Sequence, residues 1–231
     1  MTAQAAYLEI TRMTADPRAR MRELAAAAYA DGAPLAWFET LYREVGGDLD
    51  AIPWVDREPN PLFTAWVDRE QPAPGRALVV GCGAGDDAVY LADRGWRVTA
   101  FDIAPTAIAW SRARFPDHTI DWQVADALAL PSSWLGAFDL VVEIYTLQTL
   151  PAPLRGPLLT SIASALAPGG RLVAICRGRD ADAPEGVLPW KLAASELTAP
   201  LATHLALDAF EDLLDGEDPP QRRFRITWSR S

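Results

Sequence analysis

The sequence predicts an α/β fold: a doubly wound, mostly parallel sheet of seven strands, an antiparallel hairpin at its C-terminal edge, and helices ahead of it. Three observations predict this. From Arg76 onward, short apolar runs alternate with helical stretches. The runs are almost continuously apolar, as strands buried on both faces must be. A glycine-rich turn, Gly81-Cys82-Gly83-Ala84-Gly85, joins the first run to the first helix of the alternating region.

The first third reads as helical. In "ADPRARMRELAAAAYADG", Asp16 suits an N-cap, Pro17 the first helical position and Gly32 a stop. "PLAWFETLYREVGG" places Leu35, Phe38, Leu41, Tyr42 and Val45 at helical spacing. "DLDAIPWVDREPNP" is a loop rich in acids and prolines, "PLFTAWVDRE" one more short helix, and "QPAPG" a linker. Residues 1–74 are therefore expected to form a helical cap, and residues 75–231 the main domain.

The alternating region then runs in order. "RALVVG" is a strand, "DDAVYLADRG" a helix ended by Gly95, "WRVTAFD" a strand and "PTAIAWSRARF" a helix. "TIDWQVAD" and "FDLVVEIYT" are strands, "APLRGPLLTSIASALAPGG" a helix with a glycine stop, and "RLVAICR" a strand. "ASELTAPLA" suits a helix. "HLALDAFEDLLD" and "QRRFRITWSR", separated only by "GEDPP", suit an antiparallel hairpin. Arg222, Arg223, Arg225 and Arg230 read as the solvent face of the last strand.

Composition limits the function. A formal net charge of −10 opposes binding to nucleic acid or to an anionic membrane surface. No apolar run is long enough for a membrane span or a signal peptide, so a cytoplasmic setting is expected. Two cysteines, Cys82 and Cys176, without a CxxC, argue against a disulfide framework or a metal site.

The glycine turn and three acids carry the chemistry. A glycine loop between strand and helix lets a ligand approach the backbone. A dinucleotide fingerprint reads G-x-G-x-x-G; here the spacing is G-x-G-x-G, followed by Asp86 and Asp87. Two acids at the helix start repel a pyrophosphate and favour a ligand with a positive amine or sulfonium, a description that S-adenosylmethionine fits. Asp102 ends the second strand and is placed to accept both ribose hydroxyls; Asp126 follows the third and can accept from an adenine amino group.

The stretch "GRALVVGCGAGDDAVYLADRGWRVTAFDIAPTAI", with "FDLVVEIYTLQTL" and "LAPGGRLVAI", resembles the Rossmann-like core of class I S-adenosylmethionine-dependent methyltransferases. The resemblance covers Gly75 to Cys176 and implies a cofactor site at Gly81, Cys82, Gly83, Gly85, Asp87, Asp102, Ile103, Asp126, Ala127 and Glu143. One departure is Val79, where the family commonly carries an acid that helps hold the cofactor's amino group; Asp86, Asp87 or the backbone must substitute. With the upstream Trp37, Tyr42, Pro53 and Trp54, the chain is similar to the thiopurine methyltransferase-like and halide/thiol methyltransferase group, a pattern that tellurite-resistance-type and other small-molecule methyltransferases share. This implies a small-molecule acceptor with a soft nucleophile such as a thiol.

Methyl transfer needs orientation and exclusion of water, and a base only for a hydroxyl or a protonated amine. Glu143 and Tyr145, at the carboxyl end of the fourth strand, are the candidate catalytic residues. His118 and His204 suit ordinary surface or core positions. Trp54 is a candidate lid residue beside the cofactor. Trp37 shares that assignment, although its helical face also suits plain packing; Trp190 suits the acceptor pocket. A hydroxyl or amine acceptor is the alternative within the class. A nicotinamide-dependent oxidoreductase and a non-catalytic cofactor-binding module are the alternatives outside it.

Overall fold

The computed structural model describes residues 17–231, so the Asp16 cap lies outside the described residues. The chain divides into two compact units, Met1–Val55 and Asp56–Ser231.

The described part of the first unit contains α1 (Pro17–Ala30) and α2 (Ala36–Val45). Helix α2 buries Trp37, Leu41 and Tyr42 on one face and stops at Gly46 in the left-handed region. Trp54 joins this face. Its ring meets those of Trp37, Phe38 and Tyr42 edge-on, and its Nε1 donates to the Tyr42 hydroxyl at 3.1 Å. The aromatic pattern in the sequence thus builds the core of this unit.

The second unit begins with α3 (Pro61–Glu70), whose N-cap Asn60 accepts from the N–H groups of Leu62 and Phe63, with proline at the first helical position. Then follow β1 (Arg76–Val80), α4 (Asp86–Ala92), β2 (Arg97–Asp102), α5 (Pro105–Arg114), β3 (Asp121–Val124) and β4 (Phe138–Ile144). They continue with α6 (Ala152–Ser164), β5 (Leu166–Arg179), β6 (Leu192–Ala193), α7 (Ala194–Thr198), β7 (Ala206–Leu214) and β8 (Arg222–Ser229). The eight-stranded sheet runs β3-β2-β1-β4-β5-β8-β7, with the two-residue β6 beside β5. Strands β1 to β5 are parallel; β8 pairs antiparallel with β5 and with β7. The expected mostly parallel sheet and C-terminal hairpin are present, and β6 is the one strand not anticipated.

Alternation along the strands fixes the core. Ala77, Val79, Val98, Ala100, Leu140, Val142, Val173 and Ile175 pack with Phe63, Trp66 and Val67 of α3 and with Ala88, Tyr90 and Leu91 of α4. The Trp66 indole, fully buried, donates to the Thr227 hydroxyl of β8 at 3.0 Å.

The arginine-rich last strand needs a correction. β8 is an interior strand paired on both edges, its residues from Arg223 to Trp228 are buried on both faces, and Arg223 and Arg225 are among them. Arg225 makes a fork to Glu211 of β7, both bonds at 2.7 Å, and donates to the Leu62 carbonyl. Charge alone suggested solvent; an exact carboxylate partner on the neighbouring strand makes burial tolerable.

Candidate functional site

Strand order reverses at β1, with β2 on one side and β4 on the other. The gap beyond their carboxyl ends is where α/β sheets bind ligands. The glycine turn leaves β1 at this point. Cys82 N–H donates to the Phe101 carbonyl and Gly85 N–H to that of Cys82, both at 2.9 Å. Gly81 and Gly85 have φ of 58° and 94°, which a side chain tolerates poorly. A Cβ on Gly81 would lie 2.3 Å from the Thr146 hydroxyl, and one on Gly85 2.7 Å from the Trp122 ring. The Trp122 ring is the floor against which the turn is pressed.

Asp102 is buried at the end of β2 and grips the same turn. Its Oδ2 accepts from Gly83 N–H at 3.0 Å and its Oδ1 from Ala104 N–H at 2.9 Å. Ile103 lies half-buried between them in the chain. The carboxylate is thus aimed by two backbone donors. Asp126 and Ala127 follow β3; Asp126 Oδ1 accepts from Leu128 N–H at 2.8 Å, fixing that turn.

The two acids opening α4 have different fates. Arg114 of α5 clamps Asp86 with two bonds of 2.9 Å, so that negative charge is balanced. Among the described residues Asp87 has no cation bonded to it. Its Oδ1 accepts from Asn60 N–H at 2.7 Å, and burial, against that hydrogen bond, pushes its pKa up to about 7.

Glu143 is fully buried near the end of β4. Its Oε1 accepts from the N–H groups of Thr146 and Leu147 at 2.7 and 2.9 Å, whereas its buried Oε2 has no hydrogen-bond partner. Burial pushes its pKa up to about 7 as well. Tyr145 follows in the left-handed region at φ 65°, a strained conformation for a bulky residue and one that clusters at functional sites. Its hydroxyl bonds to the Asn60 side chain, and the Arg223 guanidinium lies over its ring at 4.8 Å. Asn60 thereby links Asp87 to Tyr145.

Of the residues singled out in the sequence, the fold brings Gly81, Cys82, Gly83, Gly85, Asp87, Asp102, Glu143 and Tyr145 to the carboxyl ends of β1, β2 and β4. Asp126 and Ala127 lie after neighbouring β3. Trp37 and Trp54 belong to the aromatic core of the first unit. Asn60, Arg114 and Thr146 escaped notice, and Arg223 was assigned to solvent. "EPNP" did carry a helix-start signal at Asn60; nothing local distinguished the other three. Among the described residues no cluster of His, Cys, Asp and Glu could hold a metal, and no helix is long and apolar enough to cross a membrane.

Comparison with known proteins agrees with this geometry. The family described as "Methyltransferase domain" matches residues 77–170. Residues 77–170 thus match a methyltransferase domain, and the chain is an S-adenosylmethionine-dependent methyltransferase on a class I fold. A 2-heptyl-1-hydroxyquinolin-4(1H)-one methyltransferase of Mycobacteroides abscessus is 27% identical over 176 residues, 74% of this chain and 77% of that protein. A ubiquinone biosynthesis O-methyltransferase of Xanthomonas axonopodis pv. citri is 34% identical over 116 residues, 49% of this chain and 48% of that protein. The methyltransferase thus spans about half the length of that second relative. Among solved structures, the N-methyltransferase NodS from Bradyrhizobium japonicum, in complex with S-adenosyl-L-homocysteine, superposes with a TM-score of 0.65. It shares 23% identity, and the match covers 84% of this chain and 97% of that one. The cofactor of this methyltransferase is S-adenosylmethionine.

The residues at the turn fit that cofactor. The glycine cradle has no room for a Cβ at Gly81 or Gly85, and the only cation touching α4's first turn through a described ion pair, Arg114, is committed to Asp86. Asp87, Asp102 and Glu143 remain. A diphosphate would meet three carboxylates; a sulfonium with a free amine and ribose hydroxyls meets partners.

Proposed function

We propose that this methyltransferase acts on a small molecule at a hydroxyl oxygen. The observation that carries the reading is a pair of carboxyl groups at the mouth of the sheet with no cation bonded to either among the described residues: half-buried Asp87, held by Asn60 N–H, and fully buried Glu143, with burial pushing the pKa of each up to about 7. A thiol acceptor of the thiopurine or halide/thiol kind needs no such group, because it offers a thiolate from solution. A hydroxyl must lose its proton as it reacts. The names of the two relatives, one a hydroxyquinolone methyltransferase and one an O-methyltransferase, support the same choice.

Bound at the glycine turn, S-adenosylmethionine supplies an electrophilic methyl group on a sulfonium, displaced in line by the acceptor's lone pair. The chain's part is placement. The turn at Gly81, Cys82, Gly83 and Gly85 admits the adenosyl group to within backbone contact, and Ile103 and Ala127 flank it. Asp102 accepts the ribose hydroxyls, and Asp126 the adenine amine. Glu143 Oε2, a bare acceptor or a proton donor, faces the amino-acid end. Asp87 takes the acceptor proton, and Tyr145, anchored by Asn60, holds the acceptor in line. Orientation of this kind supplies on the order of 7–11 kcal/mol in favourable cases.

Incubation with S-adenosylmethionine and matched panels of phenols, hydroxyquinolones, amines and thiols, read by mass spectrometry, tests this. O-methyl products with release of S-adenosylhomocysteine are expected. Turnover confined to thiols or amines overturns the oxygen assignment, and binding of the cofactor with no turnover on any panel leaves only a binding module.

A further inference from the structure

The acceptor side of the site holds a charged group that the methyl-transfer reading does not use. Arg223 sits near the start of β8, in register with Arg177 at the carboxyl end of β5. Its side chain is 3% exposed. Two of its three nitrogens are satisfied by the β7–β8 turn: Nε donates to Asp215 at 2.7 Å and Nη2 to Glu217. Nη1 is buried and has no hydrogen-bond partner. A buried, charged donor left unpaired is costly, so a site that retains one is built around a partner that arrives. The same guanidinium lies over Tyr145, the one bulky residue held in a left-handed conformation beside the sheet's mouth.

We infer that Arg223 is an acceptor-binding residue, its Nη1 donating to a carbonyl oxygen or ring nitrogen of a flat, uncharged heteroaromatic acceptor held at Tyr145. This rests on the methyl-transfer reading above. The local charge selects the class. Arg223, with Arg177 opposite it on β5, faces two carboxylates, Asp215 and Glu217, so the charges of the cluster cancel. Such a cluster offers a hydrogen bond without offering a positive field, and a phosphorylated or sulfated acceptor is disfavoured. Two further features suit a rigid ring. The guanidinium plane is held by its two carboxylate bonds and cannot swing to meet a flexible ligand. Tyr145 is held at its hydroxyl by Asn60 and at its ring by Arg223, so the surface it offers is fixed before binding.

The test uses two probes of matched ring size, 1-hydroxyquinolin-4(1H)-one, which carries the carbonyl, and 1-naphthol, which lacks it. Calorimetry on the full chain saturated with S-adenosylhomocysteine should show the quinolone bound about tenfold more tightly than the naphthol. R223K and R223M should abolish that preference while holding S-adenosylhomocysteine affinity within about twofold. A purely structural arginine would weaken both probes alike and leave the preference intact. A wild-type protein that binds the two probes equally, or does not bind the quinolone, overturns the assignment, as do folded variants that keep the preference. Should R223M fail to fold, R223K and the wild-type preference still decide. Wild-type protein that does not bind S-adenosylhomocysteine at all overturns the methyl-transfer reading instead.

Discussion

The two halves of the sheet's mouth are built by different means. On the β1–β2 side, the site is backbone: three glycines, one turn and a carboxylate aimed by two N–H groups, contributed by residues 81–104. On the β4–β5–β8 side, it is side chains from distant segments. Asn60, Tyr145 and Arg223 meet there although they lie far apart in the chain. The difference teaches where each kind of specificity can reside. A cofactor of fixed shape is served by a short segment whose geometry its own sequence dictates. An acceptor is read by groups that only the assembled sheet brings together.

Breaking the backbone half should have the largest effect. Gly85→Ala places a methyl against Trp122 at a φ of 94°, and such strain costs on the order of 1–3 kcal/mol. Thermal unfolding should drop by several degrees and S-adenosylhomocysteine binding should be lost in calorimetry. Binding at wild-type strength would mean that the turn does not touch the cofactor.

Asp102→Ala comes next. It removes the acceptor for Gly83 and Ala104 and the proposed ribose partner. Hydrogen bonds to charged groups are worth about 1.5–3 kcal/mol. Cofactor affinity should fall by roughly 10- to 100-fold, whereas the fold, read by circular dichroism, should persist. Unchanged affinity would take Asp102 out of the site.

The buried carboxyl groups give a pH signature. For Glu143 the ordinary value is 4.5 and the folded value about 7. Between these the folded state binds more protons than the unfolded one, so stability falls as pH rises through that window and levels off above it. Glu143→Gln cannot ionise and should flatten this part of the profile of melting temperature against pH. A variant profile parallel to wild type between pH 4.5 and 7 would show that Glu143 does not titrate there.

Tyr145→Phe is the mildest change and separates the halves most cleanly. It removes the hydroxyl bonded to Asn60 and leaves the ring under Arg223. Acceptor kcat/KM should fall by about 3- to 10-fold with cofactor affinity unmoved, consistent with loss of one hydrogen bond. A parallel loss of cofactor affinity would show that the two halves are one unit.

Much of the architecture was legible because it is local. Gly81 to Gly85 declares its turn by residue type, and the apolar runs at 76–80, 97–102 and 138–144 declare strands buried on both faces. Asp102 was found because it ends such a run. Arg223 and Arg225 were misjudged for the complementary reason. An arginine's neighbours in sequence do not reveal whether a strand is interior, and the carboxylates that make burial bearable sit on β7 and its turn.

The sequence by itself determined the parallel sheet, the glycine cradle and the acid beside it, because strand period, glycine φ and helix starts are set by each segment's own chemistry. Only the tertiary structure decided that Asp86 is neutralised by Arg114 while Asp87 is not, that Asn60 ties Asp87 to Tyr145, and that Arg223 lies under cover with one nitrogen unmatched. Those outcomes depend on desolvation and on partners dozens of residues away, and a buried charge has no local signature until its neighbours are in place.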